Sequence, residues 1–379
     1  MIRVLVDNVS HLQCFPIHFD SDVDTFDYLN HKKYDVLIFT YINKNSIRKL
    51  HEQDLLHENS KIIIDCCTES TNFDAQLKHF EEILTPDLIG NYFVIVDSDL
   101  SEYKKAHHTH FKLLDSYSFG FWSFINRWNP HDYKWTNQLG HKFTKKWMSF
   151  NGSSKPNRVL FLLELLNRNI EFQGDADGYA SFLFYDGGDC KFLKNNFNQL
   201  CTRLKESDVI SEEEYKKLLE QQLPYITDVN TIDSDRTNNL RSQMNDIGGN
   251  YRAVVNFVNE TYDVYNTPEQ KYSISFTEKT ITPFLVGQIP IINGQPQLIS
   301  ELKKLGFDMF EDLIQYSDSK DGRERVSHLV DQLEKCITID LVKFRKDNYS
   351  RFLKNRIRAF QLSNEGMEKI NKFVLEDLL

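Results

Sequence analysis

The chain has no apolar run of transmembrane length, and its start, Met1 to Asp7, reads as a strand rather than a signal peptide. The cysteines Cys14, Cys66, Cys67, Cys190, Cys201 and Cys336 form no CxxC pair and no disulfide-like spacing, which predicts reduced thiols in a cytoplasmic protein. The adjacent pair Cys66-Cys67 reads as packing at a strand end. No Gly-rich phosphate loop follows the apolar runs of the first half, so that half is a poor nucleotide holder and a better acceptor platform. Internal repeats and low-complexity tracts are missing too. So is an excess of positive charge: the formal net charge of -10 argues against a protein that coats nucleic acid non-specifically.

What is present is apolar and aromatic. With 40% hydrophobic and 13% aromatic residues over 379 positions, the chain has material for two packed cores, and its 28 Phe and 17 Tyr leave rings to stack on a base or a sugar. Short apolar runs at Ile2 to Val6, Asp35 to Thr40, Lys61 to Asp65 and Tyr92 to Val96 are of parallel-sheet type, separated by intervals long enough for crossovers. An irregular aromatic stretch from Tyr117 through Trp147 follows. A second α/β pattern then begins, with strands at Lys145 to Phe150, Ala180 to Tyr185 and Ala253 to Val258, and helices at Asn157 to Asn167 and Ser211 to Gln222. Pro296 to Leu305 predicts a helix stopped by Gly306, and the chain beyond Arg323 reads as helical. The expected organisation is residues 1–140, 141–335 and a helical 336–379.

The segment from Ser275 to Gly294 carries the most information. Ser275 and Thr277 are good helix N-caps, Glu278 and Lys279 fall in or near the first turn, and Gly287 before Pro290 ends the helix and launches the strand Ile289 to Ile292. A first-turn lysine opposes the helix dipole unless an anion meets it. Pro283 predicts a short or kinked helix. For Glu278 a second reading stands beside ligand binding, since Ser275-x-x-Glu278 has the form of a capping box.

This segment resembles the donor-binding element of the fucosyltransferase family of inverting glycosyltransferases, in which a Thr-Glu-Lys triplet opens a helix that ends at Gly before a Pro-containing strand. Phe150 to Leu166 is similar to the family segment in which a strand ends in a polar turn and an arginine, here Arg158, opens the next helix to meet the donor pyrophosphate. A solvated first-turn arginine is the alternative for Arg158. Val255 to Thr261 resembles the family's Phe-Glu-Asn-Ser element with the order inverted, Asn259 before Glu260, so either residue is open to face the donor. Ile62 to Ser70 resembles the family's strand followed by Glu-Ser, which makes Glu69 the expected general base and Asp65 its reserve.

The resemblance implies a GT-B fold, two Rossmann-like domains facing across a cleft with a helical C-terminus. It further implies an inverting, metal-independent transferase with no cofactor, in which Lys279 neutralises the departing diphosphate and Glu278 fixes ribose hydroxyls. The implied donor is a GDP- or UDP-sugar. The acceptor is a glycan or, through the basic clusters Lys142 to Lys146 and Lys343 to Arg358, DNA carrying a hydroxylated base. Two other readings compete: a metal-dependent enzyme using Asp97-Ser98-Asp99, and a non-catalytic module that binds nucleotide sugar or glycan. His107-His108-Thr109-His110 reads as a polar surface segment rather than a metal site.

Overall fold

A computed structural model describes residues 4–6, 23–25, 33–39, 50, 52–66, 73–84, 91–96, 98–107, 109–122, 125, 144–173, 176–185, 194–225, 253–260, 274, 276–317, 319–373 and 376. The fold is α/β in two compact units, the first formed by Met1–Tyr133, Glu269–Phe276 and Ala359–Leu379, the second by Lys134–Pro268 and Thr277–Arg358. Among the described residues no helix is long and apolar enough to cross a membrane.

Unit 1 is built on a 6-stranded sheet. Its strands are β1 (Val4–Val6), β2 (Val23–Thr25), β3 (Val36–Phe39), β4 (Lys61–Asp65), β5 (Asn91–Val96) and β6 (Lys112–Asp115), all paired in parallel in the order β2-β1-β3-β4-β5-β6. Among the described residues three helices lie between or after them: α1 (Phe73–Ile83), α2 (Ser101–Ala106) and α3 (Tyr117–Trp122). Because side chains alternate across a strand, each run of continuous apolar sequence feeds two cores. Ile62, Ile64, Val94 and Val96 join one with Leu77 and Phe80, while Ile63, Phe93 and Ile95 join the other with Phe119, Trp122, Ile370 and Phe373.

Unit 2 carries a 4-stranded parallel sheet of order β10-β9-β7-β8, from β7 (Lys145–Ser153), β8 (Gly178–Tyr185), β9 (Ala253–Asn259) and β10 (Ile289–Asn293). Its helices are α4 (Pro156–Asn167), α5 (Lys194–Glu206), α6 (Glu212–Leu219), α7 (Glu278–Val286), α8 (Leu298–Lys304), α9 (Gly322–Thr338), α10 (Leu341–Asp347) and the long α11 (Tyr349–Phe373). Helix α4 is apolar nearly all round and is buried from Asn157 to Leu165. Its far end is fixed by Arg168, which pairs with Glu164, Asp331 and Glu334. Cys201 and Cys336 are free thiols in this core, pushed up to about 12 by burial, and Cys66 is buried in unit 1.

The units divide at Tyr133/Lys134, and the C-terminal helices are shared between them. Phe352 packs in the core of unit 2, whereas Ile370 and Phe373 pack on the sheet of unit 1, so the division falls within α11, at Arg358/Ala359. Gly366 sits where a Cβ would meet the backbone oxygen of Ser118 at 2.4 Å and Trp122 Cβ at 2.7 Å, which brings α11 against α3.

Candidate functional site

The sheet of unit 2 reverses direction once. From β7 the chain moves to β8 on one side, and β9 returns to pair with β7 on the other. The strands are parallel, so their carboxyl ends open a crevice at this switch point, the usual ligand position in open α/β sheets. Arg158, Asn259, Glu260, Thr277, Glu278 and Lys279 all fall beside it, at the ends of β7 and β9 and the start of α7.

A row of buried amides runs across the strand ends. Asn293 Nδ2 donates to Asn259 Oδ1 at 2.9 Å, Asn259 Nδ2 donates to Asn151 Oδ1 at 2.9 Å, and Asn151 Nδ2 donates to the Ser181 carbonyl at 3.1 Å. Each strand contributes one member, in the sheet order β10-β9-β7-β8. The row locks the four ends in register, since any buried amide left without its partner costs about 1–3 kcal/mol. Asn259 is thereby a member of the sheet's own bonding.

Glu260 joins two helix starts. Its carbonyl accepts from Asn157 Nδ2 in the first turn of α4 at 2.8 Å. Its carboxylate accepts from Thr277 Oγ1 at 2.6 Å and from the backbone N–H and Oγ1 of Thr280 in the first turn of α7. The residue is 1% exposed. A carboxylate at this place satisfies helix N-terminal donors and lies at the favourable end of the dipole. These internal bonds fix α7 on the sheet.

Thr277 is the N-cap of α7: its Oγ1 accepts from the Lys279 N–H at 3.2 Å while donating to Glu260. Glu278 is then the first helical residue and Lys279 the second, as expected. The Ser275-x-x-Glu278 capping box is not how this helix starts, because a box needs the glutamate at the third helical position. Ser275 lies outside the described residues, as does the side chain of Glu278. Lys279 is half-buried. Gly287 closes the helix at φ 71°, in the left-handed region that favours glycine, and the helix has the short length that Pro283 predicts.

Arg158 is 2% exposed, so the solvated reading is excluded. Its Nη1 donates to the carbonyl (3.0 Å) and hydroxyl (2.6 Å) of Ser153, and Nη2 reaches the Asn259 carbonyl at 3.4 Å. The guanidinium thus braces the ends of β7 and β9 and leaves a positive charge beneath the crevice. Beside it, Asn157 is missed by the sequence reading. Its Nδ2 is held by Glu260, which fixes the amide orientation, and its buried Oδ1 has no hydrogen-bond partner among the described residues. The signal was Pro156 at a helix start with no acidic residue in the first turn, a helix end without a built-in anion.

In unit 1, Glu69 and Asp97 lie outside the described residues, and Asp65 ends β4 opposite Ile95. Asp99 accepts from the Ser101 N–H (2.9 Å) and Oγ (2.6 Å) at the start of α2, a turn-closing role. No group of three His, Cys, Asp or Glu suited to a metal occurs among the described residues. His107 stacks on Tyr103 with ring centroids 4.3 Å apart and reaches Glu81 at 3.5 Å. The basic clusters are largely engaged internally: Lys145 and Lys146 donate to the carbonyls of Ala176 and Ile337, and Arg358 to that of Leu305. Arg351 pairs with Asp308 and Asp312, which holds both carboxylates below the usual carboxylate range. Neither a protein-family model nor a curated protein matches the chain, so the functional reading rests on these contacts alone.

Proposed function

We propose that the chain is an inverting glycosyltransferase whose unit 2 holds the nucleoside diphosphate of a GDP- or UDP-sugar at the switch point between β7 and β9. The observation that carries this reading is the meeting of two helix starts there, α4 and α7, joined through Glu260. Helix N-termini present amide donors and the positive end of the dipole to an anion. Lys279, second in α7, supplies the charge that neutralises the leaving diphosphate. Arg158 adds a buried positive charge and holds the turn before α4 in place. The lone Asn157 Oδ1 accepts from a ligand hydroxyl.

The acceptor in this reading is a glycan hydroxyl, because the lysines and arginines that would grip a DNA backbone are mostly spent on internal partners. A carboxylate that removes the acceptor proton completes the chemistry, with Glu69 as the candidate and Asp65 as its reserve. GT-B architecture, two Rossmann-like domains, is the fold this proposal requires.

The test is a screen of GDP- and UDP-sugars against the full chain, read as released nucleoside diphosphate with and without EDTA. Turnover of one donor that survives EDTA supports the proposal. Turnover lost in EDTA and restored by manganese moves the activity to Asp97-Ser98-Asp99, and binding without turnover identifies a non-catalytic module.

A further inference from the structure

Four large hydrophobic side chains are exposed among the described residues, and all belong to one short stretch: Val342, Tyr349, Leu353 and Ile357, at 61%, 46%, 37% and 47% exposure. Val342 lies on α10. The other three stand at i, i+4 and i+8 on α11, which puts them on one helical face. Phe352, Asn355, Arg356 and Ala359 are buried on the adjoining face of α11. Scattered exposed apolar residues are ordinary, but a clustered stripe marks a surface that is covered in use.

The charge around the stripe is one-sided. Lys346 and Lys354 are exposed beside it, and their ammonium groups have no hydrogen-bond partner among the described residues. The first ten residues of α11, from Tyr349 to Arg358, contain no acidic residue. The nearby acids are already matched, Asp347 by Lys343 and Asp308 with Asp312 by Arg351. This local positive balance stands out in a chain of net charge -10.

We infer that the α10–α11 face docks on an anionic lipid bilayer. The aliphatic side chains and the Tyr349 ring enter the boundary between headgroups and acyl chains, and Lys346 and Lys354 meet lipid phosphates. Nucleic acid fits less well, since it rewards none of the aliphatic surface and two lysines neutralise few phosphates. A second copy also fits less well, because a two-fold contact brings the same two lysines to both sides. The surface is peripheral and independent of the proposed activity.

The full chain is sedimented with vesicles of phosphatidylcholine alone and of phosphatidylcholine mixed with phosphatidylglycerol. Binding to the anionic vesicles only is expected. Leu353→Gln with Ile357→Gln should lower the partition coefficient by roughly 100-fold. Lys346→Gln with Lys354→Gln should lower it by roughly 30-fold and flatten its salt dependence. All four positions are exposed, so the variants keep the parent melting temperature. No binding to anionic vesicles overturns the inference, as does binding that the apolar pair leaves unchanged. A dimer in the ultracentrifuge, or binding to duplex DNA, that the apolar pair abolishes overturns it in favour of that other partner.

Discussion

The two sheets share a parallel design, yet their strand ends are finished differently. In unit 1 most of the described bonds beyond β5 and β6 are local, Asp99 capping Ser101 two residues on and Asp115 taking the Leu100 N–H and pairing with Lys104, with single long-range ties from Ser98 to Ile274 and from Lys369 to Ser116. In unit 2 the bonds run between distant segments, Asn157 to Glu260, Arg158 to Asn259 and Asn151 to Asn259, with separations of 103, 101 and 108 residues. Short-range closure ends a strand and begins a helix. A long-range network holds several chain ends in one geometry, which is what a preorganised binding site needs. In the proposed reading unit 2 holds the donor, and unit 1 supplies the acceptor site and the base.

The largest effect that sharpens this contrast belongs to unit 1. Glu69→Gln keeps size and most hydrogen bonds but takes no proton, so transfer falls by about 10²–10⁴-fold while donor affinity stays at the parent level. Turnover and donor affinity measured side by side check it. Near-parental turnover, with Asp65→Asn inactive, gives the role to Asp65.

In unit 2 the leading effect is on stability. Glu260→Ala strips the acceptor from Thr277 and Thr280 and should lower the unfolding free energy by about 3–5 kcal/mol. Denaturant melts read this directly, and an unchanged midpoint breaks the claim that Glu260 is the internal tie. Glu260→Gln, which keeps one carbonyl acceptor, should lose less.

Lys279→Ala removes charge from the first turn of α7 and leaves its cap intact. Nucleoside diphosphate affinity should drop by about 1.5–3 kcal/mol, seen by titration calorimetry, with little change in melting temperature. Arg158→Ala should lose both, because its fork also braces Ser153 and Asn259.

The smallest effect is a control away from the strand ends. Arg351 depresses Asp308 and Asp312, so their folded values lie below the unfolded value of about 3.9. The stability they contribute is fully present above the unfolded value and is lost as pH falls through the folded ones. Arg351→Gln should remove that acid-side slope from melting temperatures recorded between neutral and acid pH. It should not alter nucleotide affinity.

These expectations draw unequally on what the residues alone disclose. Strand β4 is read to the residue, and α7 is bounded correctly by Thr277 and Gly287, because cap chemistry and apolar runs are local signals. The Ser211 and Glu214 capping box forms as its spacing suggests. Helix α3 is buried at all six positions and shows no polar face, so its sequence resembles irregular aromatic chain. Helix α5, with Phe197, Leu200, Cys201 and Leu204 at helical spacing, is not among the helices expected from the sequence. For the candidate site, residue types and chain order lead to residues that gather at one end of the unit 2 sheet, but not to their partners. The bonds of Glu260 to Thr277 and Thr280 cross the fold and leave no local trace, and nothing local marks Asn151, Asn259 and Asn293 as one polar row.

The central claim is the location of the nucleotide, and amide hydrogen exchange of the full chain with and without saturating GDP or UDP tests it most directly. Slowed exchange confined to peptides covering residues 153–160 and 277–283, with Lys279→Ala abolishing it, is the predicted result. Protection at the strand ends of unit 1 instead, with none at the starts of α4 and α7, contradicts the account.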